Sequence, residues 1–306
     1  MTVERLRLHA QGPELSRLVW GAWRSLASPE TDTPAKQARL IEACLELGIT
    51  SFDHADIYGG YAVEAAFGAA LKEWRGDRGR IELVTKCGIA LVDPARPAHR
   101  VKHYDTSAAH IRASVDASLR NLGTDYIDLL LIHRPDPLMD ADEAAGALEA
   151  LVKAGKVRHV GVSNHSPAQV DLLQSRLGLP LVTNQVELSV VATDPLFDGT
   201  LDQAQRLGAA PMAWSPLGGG GLFAANPDGQ AARVAAALRA VGTALGEDDL
   251  GTLALAWLLR HPSRPVPVLG TSRIDRIRRY AAAGRLAFDR QQWFSVLEAS
   301  LGRPVP

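Results

Sequence analysis

Ile111-Arg-Ala-Ser-Val-Asp-Ala-Ser-Leu-Arg-Asn-Leu-Gly-Thr-Asp-Tyr-Ile-Asp-Leu-Leu-Leu-Ile-His133 holds a complete helix–strand unit. Ile111, Val115 and Leu119 recur every four residues, which is the spacing of a helix with one buried face. Gly123 follows as a C′ residue, where the left-handed conformation favours glycine. The apolar run at 126–133 then reads as a strand ending on a polar side chain, His133.

Outward from this unit the same alternation repeats. Further strand-like runs lie at 50–53, 81–86, 157–163, 181–188, 210–214 and 266–269, with a shorter one at 18–20. The helices between them have legible starts. Thr33-Pro34 sets a capping hydroxyl before a proline at the first helical position, ahead of Leu40, Ile41, Cys44 and Leu45. Ser166-Pro-Ala-Gln169 has capping-box spacing. A helix is expected over about 142–154, stopping at Gly155, and an apolar one over 250–260 is an addition to the basic pattern.

About eight such units without a Pro/Gly-rich linker point to one parallel-sheet α/β domain spanning residues 1–306. An open dinucleotide-binding sheet would carry G-x-G-x-x-G in its first strand–helix turn. Here the densest glycine run, 218–221, comes after a late strand, so a closed (β/α)8 TIM barrel is favoured. Composition narrows the class without naming the chemistry. The 33 basic and 34 acidic side chains leave a net charge of −1, which argues against a nucleic-acid binder held by a general positive field. With only Cys44 and Cys87, a disulfide-built secreted scaffold is excluded. No apolar run reaches membrane-span length and the start lacks a signal-peptide core, so a cytoplasmic protein with no membrane partner is expected.

In a barrel the C-terminal ends of the strands face the active site. The runs here end in or contain Asp53, Lys86, His133, Ser163-Asn164, Gln185, Trp214-Ser215 and Thr271-Ser272-Arg273, and Tyr58 follows five residues after Asp53. A tyrosine keeps its proton at neutral pH, and a neighbouring ammonium makes it a better acid by stabilising the phenolate. Lys86 would supply that ammonium, Asp53 would hold it charged, and His133 would orient a carbonyl oxygen. These are the parts for adding hydride to a carbonyl and protonating the alkoxide.

The sequence resembles the aldo-keto reductases over essentially its whole length. The matching blocks are Phe-Asp-His-Ala-Asp-Ile-Tyr-Gly-Gly-Tyr-Ala-Val-Glu (52–64), Leu-Val-Thr-Lys (83–86) and Asp-Leu-Leu-Leu-Ile-His-Arg-Pro (128–135). They continue with Gly-Lys-Val-Arg-His-Val-Gly-Val-Ser-Asn (155–164), Asn-Gln-Val-Glu (184–187), Ala-Trp-Ser-Pro-Leu-Gly-Gly-Gly (213–220) and Val-Leu-Gly-Thr-Ser (268–272). The resemblance implies NADPH as cofactor, a small carbonyl substrate, and a catalytic set of Asp53, Tyr58, Lys86 and His133. It implies that Ser163, Asn164 and Gln185 hold the nicotinamide carboxamide and that Trp214 stacks on the ring. Ser215, Leu217, Gly218 and Gly270 would border the cofactor, while Ser272, Arg273 and Arg276 would meet the adenosine 2′-phosphate. This sequence departs from the family at Arg278-Arg279-Tyr280, where many members carry Glu-Asn against the adenine, and at His54, where threonine is usual.

Other features stay open or weak. Arg273, Arg276, Arg278 and Arg279 suit either a phosphate or a solvated helix face. Trp23 suits either a pocket wall or the core, and the long loop 90–105 is either functional or irregular. Cys87 reads as a buried small side chain rather than a nucleophile. His99, His103 and His110 lack helical zinc spacing, so no metal is expected. Two competing readings are a nucleotide-sensing module resembling potassium-channel β subunits and a Schiff-base enzyme using Lys86.

Overall fold

Alternate side chains of a strand face opposite ways, and the segment Ile127–Ile132 shows the consequence. Leu129 and Leu131 pack inward against Val84, Val182 and Met212. Leu130 and Ile132 pack outward against Ile111, Val115 and Leu148 of the neighbouring helices. A strand apolar on both faces must be covered on both, which a barrel ringed by helices provides.

The computed structural model describes residues 2–224 and 229–305. The strands before the third barrel member are β1 (Arg5–Arg7), β2 (Glu14–Ser16), β3 (Val19–Gly21) and β4 (Ser51–Asp53). Next come β5 (Glu82–Cys87), β6 (Ile89–Ala90), β7 (His103–Tyr104) and β8 (Ile127–Ile132). The last are β9 (Val157–Ser163), β10 (Leu181–Glu187), β11 (Met212–Trp214) and β12 (Val266–Leu269). Eight of these close in the order β3-β4-β5-β8-β9-β10-β11-β12. Every pairing in the ring is parallel, and β12 returns to β3 with Val268 opposite Val19 and Leu269 opposite Trp20. The eight strand-like runs of the sequence are these eight strands, with ends moved by a residue or two.

The helix signals also hold. Thr33 accepts from the Lys36 amide, and Ser166 and Gln169 form a reciprocal capping box. Gly123 takes φ 65° at the end of the helix Ala108–Leu122. Two helices, Gly229–Leu245 and Leu250–Leu259, lie between β11 and β12. The second is apolar on all sides and buried almost throughout, so it is inner packing rather than an amphipathic cover.

The sequence gives no sign of the hairpin β1–β2. It closes the N-terminal end of the barrel by placing Leu8 and Leu15, both fully buried, against Val19, Val266 and Val268. The Ala210 amide donates to the Leu8 carbonyl at 2.7 Å and fastens the plug to the approach of β11. Within the long loop 90–105 and its approach, β6 and β7 form a small antiparallel ribbon beside the opposite, C-terminal mouth. No helix among the described residues is long and apolar enough to cross a membrane.

Candidate active site

The inward rows turn polar at their last position. Val84 is followed two residues on by Lys86, Leu131 by His133 and Met212 by Trp214. The alternation that builds the core thus delivers functional groups to the C-terminal mouth.

Lys86 is fully buried, and its Nζ has three partners. It donates to Asp53 Oδ2 at 2.7 Å, to the His54 carbonyl at 2.7 Å and to Tyr58 Oη at 3.1 Å. Asp53 uses its other oxygen to accept from Gln185 Nε2 at 2.9 Å, tying β4 to β10 across the barrel. The His133 ring stands edge-on to Tyr58 with centroids 6.0 Å apart. The four residues foreseen as the catalytic set therefore meet at one point.

The electrostatics follow from burial and these contacts. Burial alone would push the Lys86 ammonium down, but Asp53 and the Tyr58 hydroxyl outweigh it and hold its pKa above the ordinary lysine value. Burial also pushes the Tyr58 phenol up, and Lys86 pulls the other way without overcoming it. The lowering expected from Lys86 is present, and burial together with Asp53 outweighs it. Tyr58 keeps its proton firmly, and Lys86 acts on the phenolate once the proton leaves. Burial, with Lys86 and Arg134 adding to it, holds His133 well below the ordinary imidazole range, so its ring is neutral at pH 7.

His54, the unusual neighbour of Asp53, is fully buried, and neither ring nitrogen has a hydrogen-bond partner among the described residues. Its ring lies 4.4 Å from Phe67, and burial plus Lys86 lower its pKa to about 3. It is an apolar spacer whose useful polar atom is its backbone carbonyl.

Above this cluster opens a cavity of about 710 Å³. Asp53, Tyr58, His133, Ser163, Asn164, Gln185 and Trp214 line its floor. Ser215, Leu217, Gly270 and Arg276 also line it.

A family model described as the aldo/keto reductase family matches residues 17–300. The chain belongs to the aldo/keto reductases. It is 52% identical over 292 residues to a 6-dehydroglucose reductase of Agrobacterium fabrum, covering 95% of this chain and 96% of that one. It is 50% identical over 305 residues to oxidoreductase YdhF of Escherichia coli, covering 99% of this chain and all of that one. Among solved structures, a thermostable aldo-keto reductase, Tm1743, superposes with a TM-score of 0.80 at 25% identity, covering 97% of this chain and 99% of that one.

Aldo/keto reductases use a nicotinamide dinucleotide, and the cavity of this reductase has features that fit one. Gly219 and Gly220 line the cavity in left-handed conformations with open space where a Cβ would project, so the backbone is accessible to a ligand. Gln185 spends its amide nitrogen on Asp53, while its carbonyl oxygen takes no bond among the described residues and remains an acceptor. Asn164, at φ 61°, donates to Ser163 Oγ at 2.8 Å and accepts from Trp214 Nε1 at 2.9 Å, so these three groups form one linked wall.

Three residues of the expected cofactor set do not line the cavity. Gly218 backs onto Val191, where a Cβ would come within 2.3 Å of Cγ2. Ser272 accepts from Thr31 Oγ1 at 3.1 Å. Arg273 is exposed and paired with Asp275 at 2.8 Å. Arg276 lines the cavity and enters no ion pair among the described residues. Several lining residues carried little or no sequence signal. Trp23, which had two readings, is 58% exposed at the rim and not in the core. Arg134, Lys102 and Tyr104 also line the mouth. Only Arg134, adjacent to His133, was traceable in principle.

Proposed function

We propose that the protein reduces an aldehyde or ketone to an alcohol with NADPH, and that sugar aldehydes of the 6-dehydroglucose type are its natural substrate class. The observation that carries the chemistry is the bonded chain Tyr58–Lys86–Asp53 at the floor of the cavity. The relative named 6-dehydroglucose reductase supports the substrate class.

When bound, the reduced nicotinamide supplies the hydride. Ser163, Asn164 and Gln185 would orient its carboxamide, Trp214 would pack on its ring and Arg276 would meet a phosphate. The substrate carbonyl oxygen sits between the Tyr58 hydroxyl and the neutral His133 ring, both donating to it. As the carbon accepts hydride, charge builds on that oxygen and the Tyr58 proton moves onto it. Lys86 stabilises the phenolate left behind, and Asp53 balances the lysine so that the site stays near neutrality. His133 suits the orienting role because it is neutral: an imidazolium there would add a second cation beside Lys86.

Lys86 is held charged by an ion pair and a hydroxyl, which opposes use as a Schiff-base nucleophile. The test is NADPH oxidation with 6-dehydroglucose and a panel of simple aldehydes and ketones, run beside NADH. Multiple turnovers with NADPH are expected, and a chain that binds the nucleotide yet turns over no carbonyl would remove this reading.

A further inference from the structure

The turn that carries Tyr58 has an unusual backbone. Gly59, Gly60 and Tyr61 are consecutively left-handed, with φ of 57°, 61° and 68°. The two glycines adopt this freely, whereas a residue with a large aromatic side chain does so at a cost. Such a conformation persists where surrounding contacts over-determine it. Two contacts hold Tyr61. Its hydroxyl accepts from the Leu91 amide at 2.8 Å, and the Arg96 guanidinium lies 3.7 Å from its ring centroid. Both partners belong to the loop between β6 and β7, and Leu91 itself lines the cavity.

Leu91 is also held through its carbonyl, which lies 2.9 Å from His99 Nδ1. Arg96 reaches a second small cavity of about 70 Å³ bordered by Asp56, Glu64 and Ser114. Asp56 and Glu64 each have one buried oxygen there without a hydrogen-bond partner among the described residues. Asp56 stands two residues before Tyr58, and its amide donates to the Lys86 carbonyl at 3.1 Å. The same loop thus touches the proton-donor turn through Tyr61 after Tyr58 and shares a small cavity with Asp56 before it.

We propose that Tyr61, with Arg96 stacked on it, is a positioning residue that couples the substrate loop to the Tyr58 turn, so that a substrate pressing on Leu91 sets the placement of the Tyr58 hydroxyl. The proposal rests on Tyr58 as proton donor. It makes the loop a reader of substrate size: a substrate long enough to touch Leu91 engages the strap, and a short one does not.

The experiment compares the parent with Tyr61→Phe, which keeps the ring and loses the hydroxyl, and with Arg96→Gln. Amide hydrogen exchange, followed without substrate, is read at Leu91 and at Ala62, whose amide donates to the Tyr58 carbonyl at 3.2 Å. In Tyr61→Phe, protection should fall at both amides, and a fall confined to Leu91 overturns the coupling. In turnover, kcat for 6-dehydroglucose should drop about fivefold, the scale of one hydrogen bond, while kcat for propanal changes less than twofold. Equal losses for both substrates, or none, also overturn it. Arg96→Gln should repeat the pattern more weakly, with NADPH affinity and the melting temperature near the parent's in both variants. Tyr58→Phe in the same assay separates the two readings. If it keeps full turnover, the proton-donor role fails, whereas the exchange data still report on the strap itself.

Discussion

At the N-terminal end of the barrel, Asp128 accepts from Arg78, Arg158 and the Leu83 amide at 2.7, 3.2 and 2.9 Å. At the C-terminal end, Asp53 accepts from Lys86 and Gln185 at 2.7 and 2.9 Å. Both carboxylates are buried on barrel strands and both are fully bonded. Arg78, however, spends its remaining donors on Thr124 Oγ1 and on the Ile81 and Tyr126 carbonyls, all within the scaffold. Lys86 spends one on Tyr58, whose hydroxyl faces the cavity. A buried ion pair serves structure when its contacts close on themselves and chemistry when one of them opens onto a ligand.

The contrast can be broken at either end. Tyr58→Phe removes the one contact that opens outward. It should lower kcat by about 10²–10⁴, leaving NADPH affinity and melting temperature unchanged in a steady-state and thermal-melt comparison. At the other end, Asp128→Ala strands two guanidiniums. Because Arg158 is half exposed, the expected loss is about 2 kcal/mol by denaturant titration, with kcat preserved. Loss of turnover without loss of stability at Asp128 would erase the distinction between the two ends.

A smaller effect separates two arginines that lie three positions apart in sequence. Arg276→Gln should raise KM for NADPH about tenfold and leave KM for NADH nearly unchanged, since a charge-assisted contact to a phosphate is lost. Arg273→Gln, whose partner is Asp275, should shift neither by more than about twofold.

The smallest effect concerns pH. His54 has a folded pKa lowered to about 3, so its stability contribution is present above its unfolded value and lost as pH falls from about 6.5 toward 3. Asp56 is pushed up to about 7, chiefly by burial and then by Glu64, so stability falls as pH rises from about 4 through 7. The two slopes oppose each other in the shared range. His54→Leu should therefore lose less stability than the parent between pH 6.5 and 5.5, by at most about 1 kcal/mol in denaturant titrations, and Asp56→Asn should lose more. Parallel curves for all three proteins would refute this assignment.

The barrel was legible because its strands are apolar runs whose last inward residue is polar, a pattern that a single sequence displays at Lys86, His133 and Trp214. The hairpin was not, because β1 and β2 have three residues each and expose Arg5, Arg7 and Glu14, leaving little period to detect. The catalytic cluster was legible as a set of strand ends, but the net direction of the Tyr58 shift was not. That direction depends on how much burial opposes Lys86, which no spacing reveals. Ser272, Arg273 and Arg276 lie within five residues of one another, yet a distant partner, Thr31, bonds the first and a neighbour, Asp275, pairs with the second. Gly59 and Gly60 announce a turn after Tyr58, whereas a left-handed Tyr61 has no signature in composition.

The plugging hairpin has a consequence for the order in which the chain can be completed. Its Leu8 carbonyl is bonded from Ala210, and β3 acquires its second neighbour only from β12, with Val19 opposite Val268. The residues made first therefore wait on residues made some two hundred positions later. Until β11 and β12 emerge, Leu8, Leu15 and one edge of β3 lack their native cover. Contacts of such long separation close slowly, and a nascent chain halted before β12 carries both an open edge and an apolar plug with nowhere to seat. The seal of this barrel is written at its beginning and set at its end.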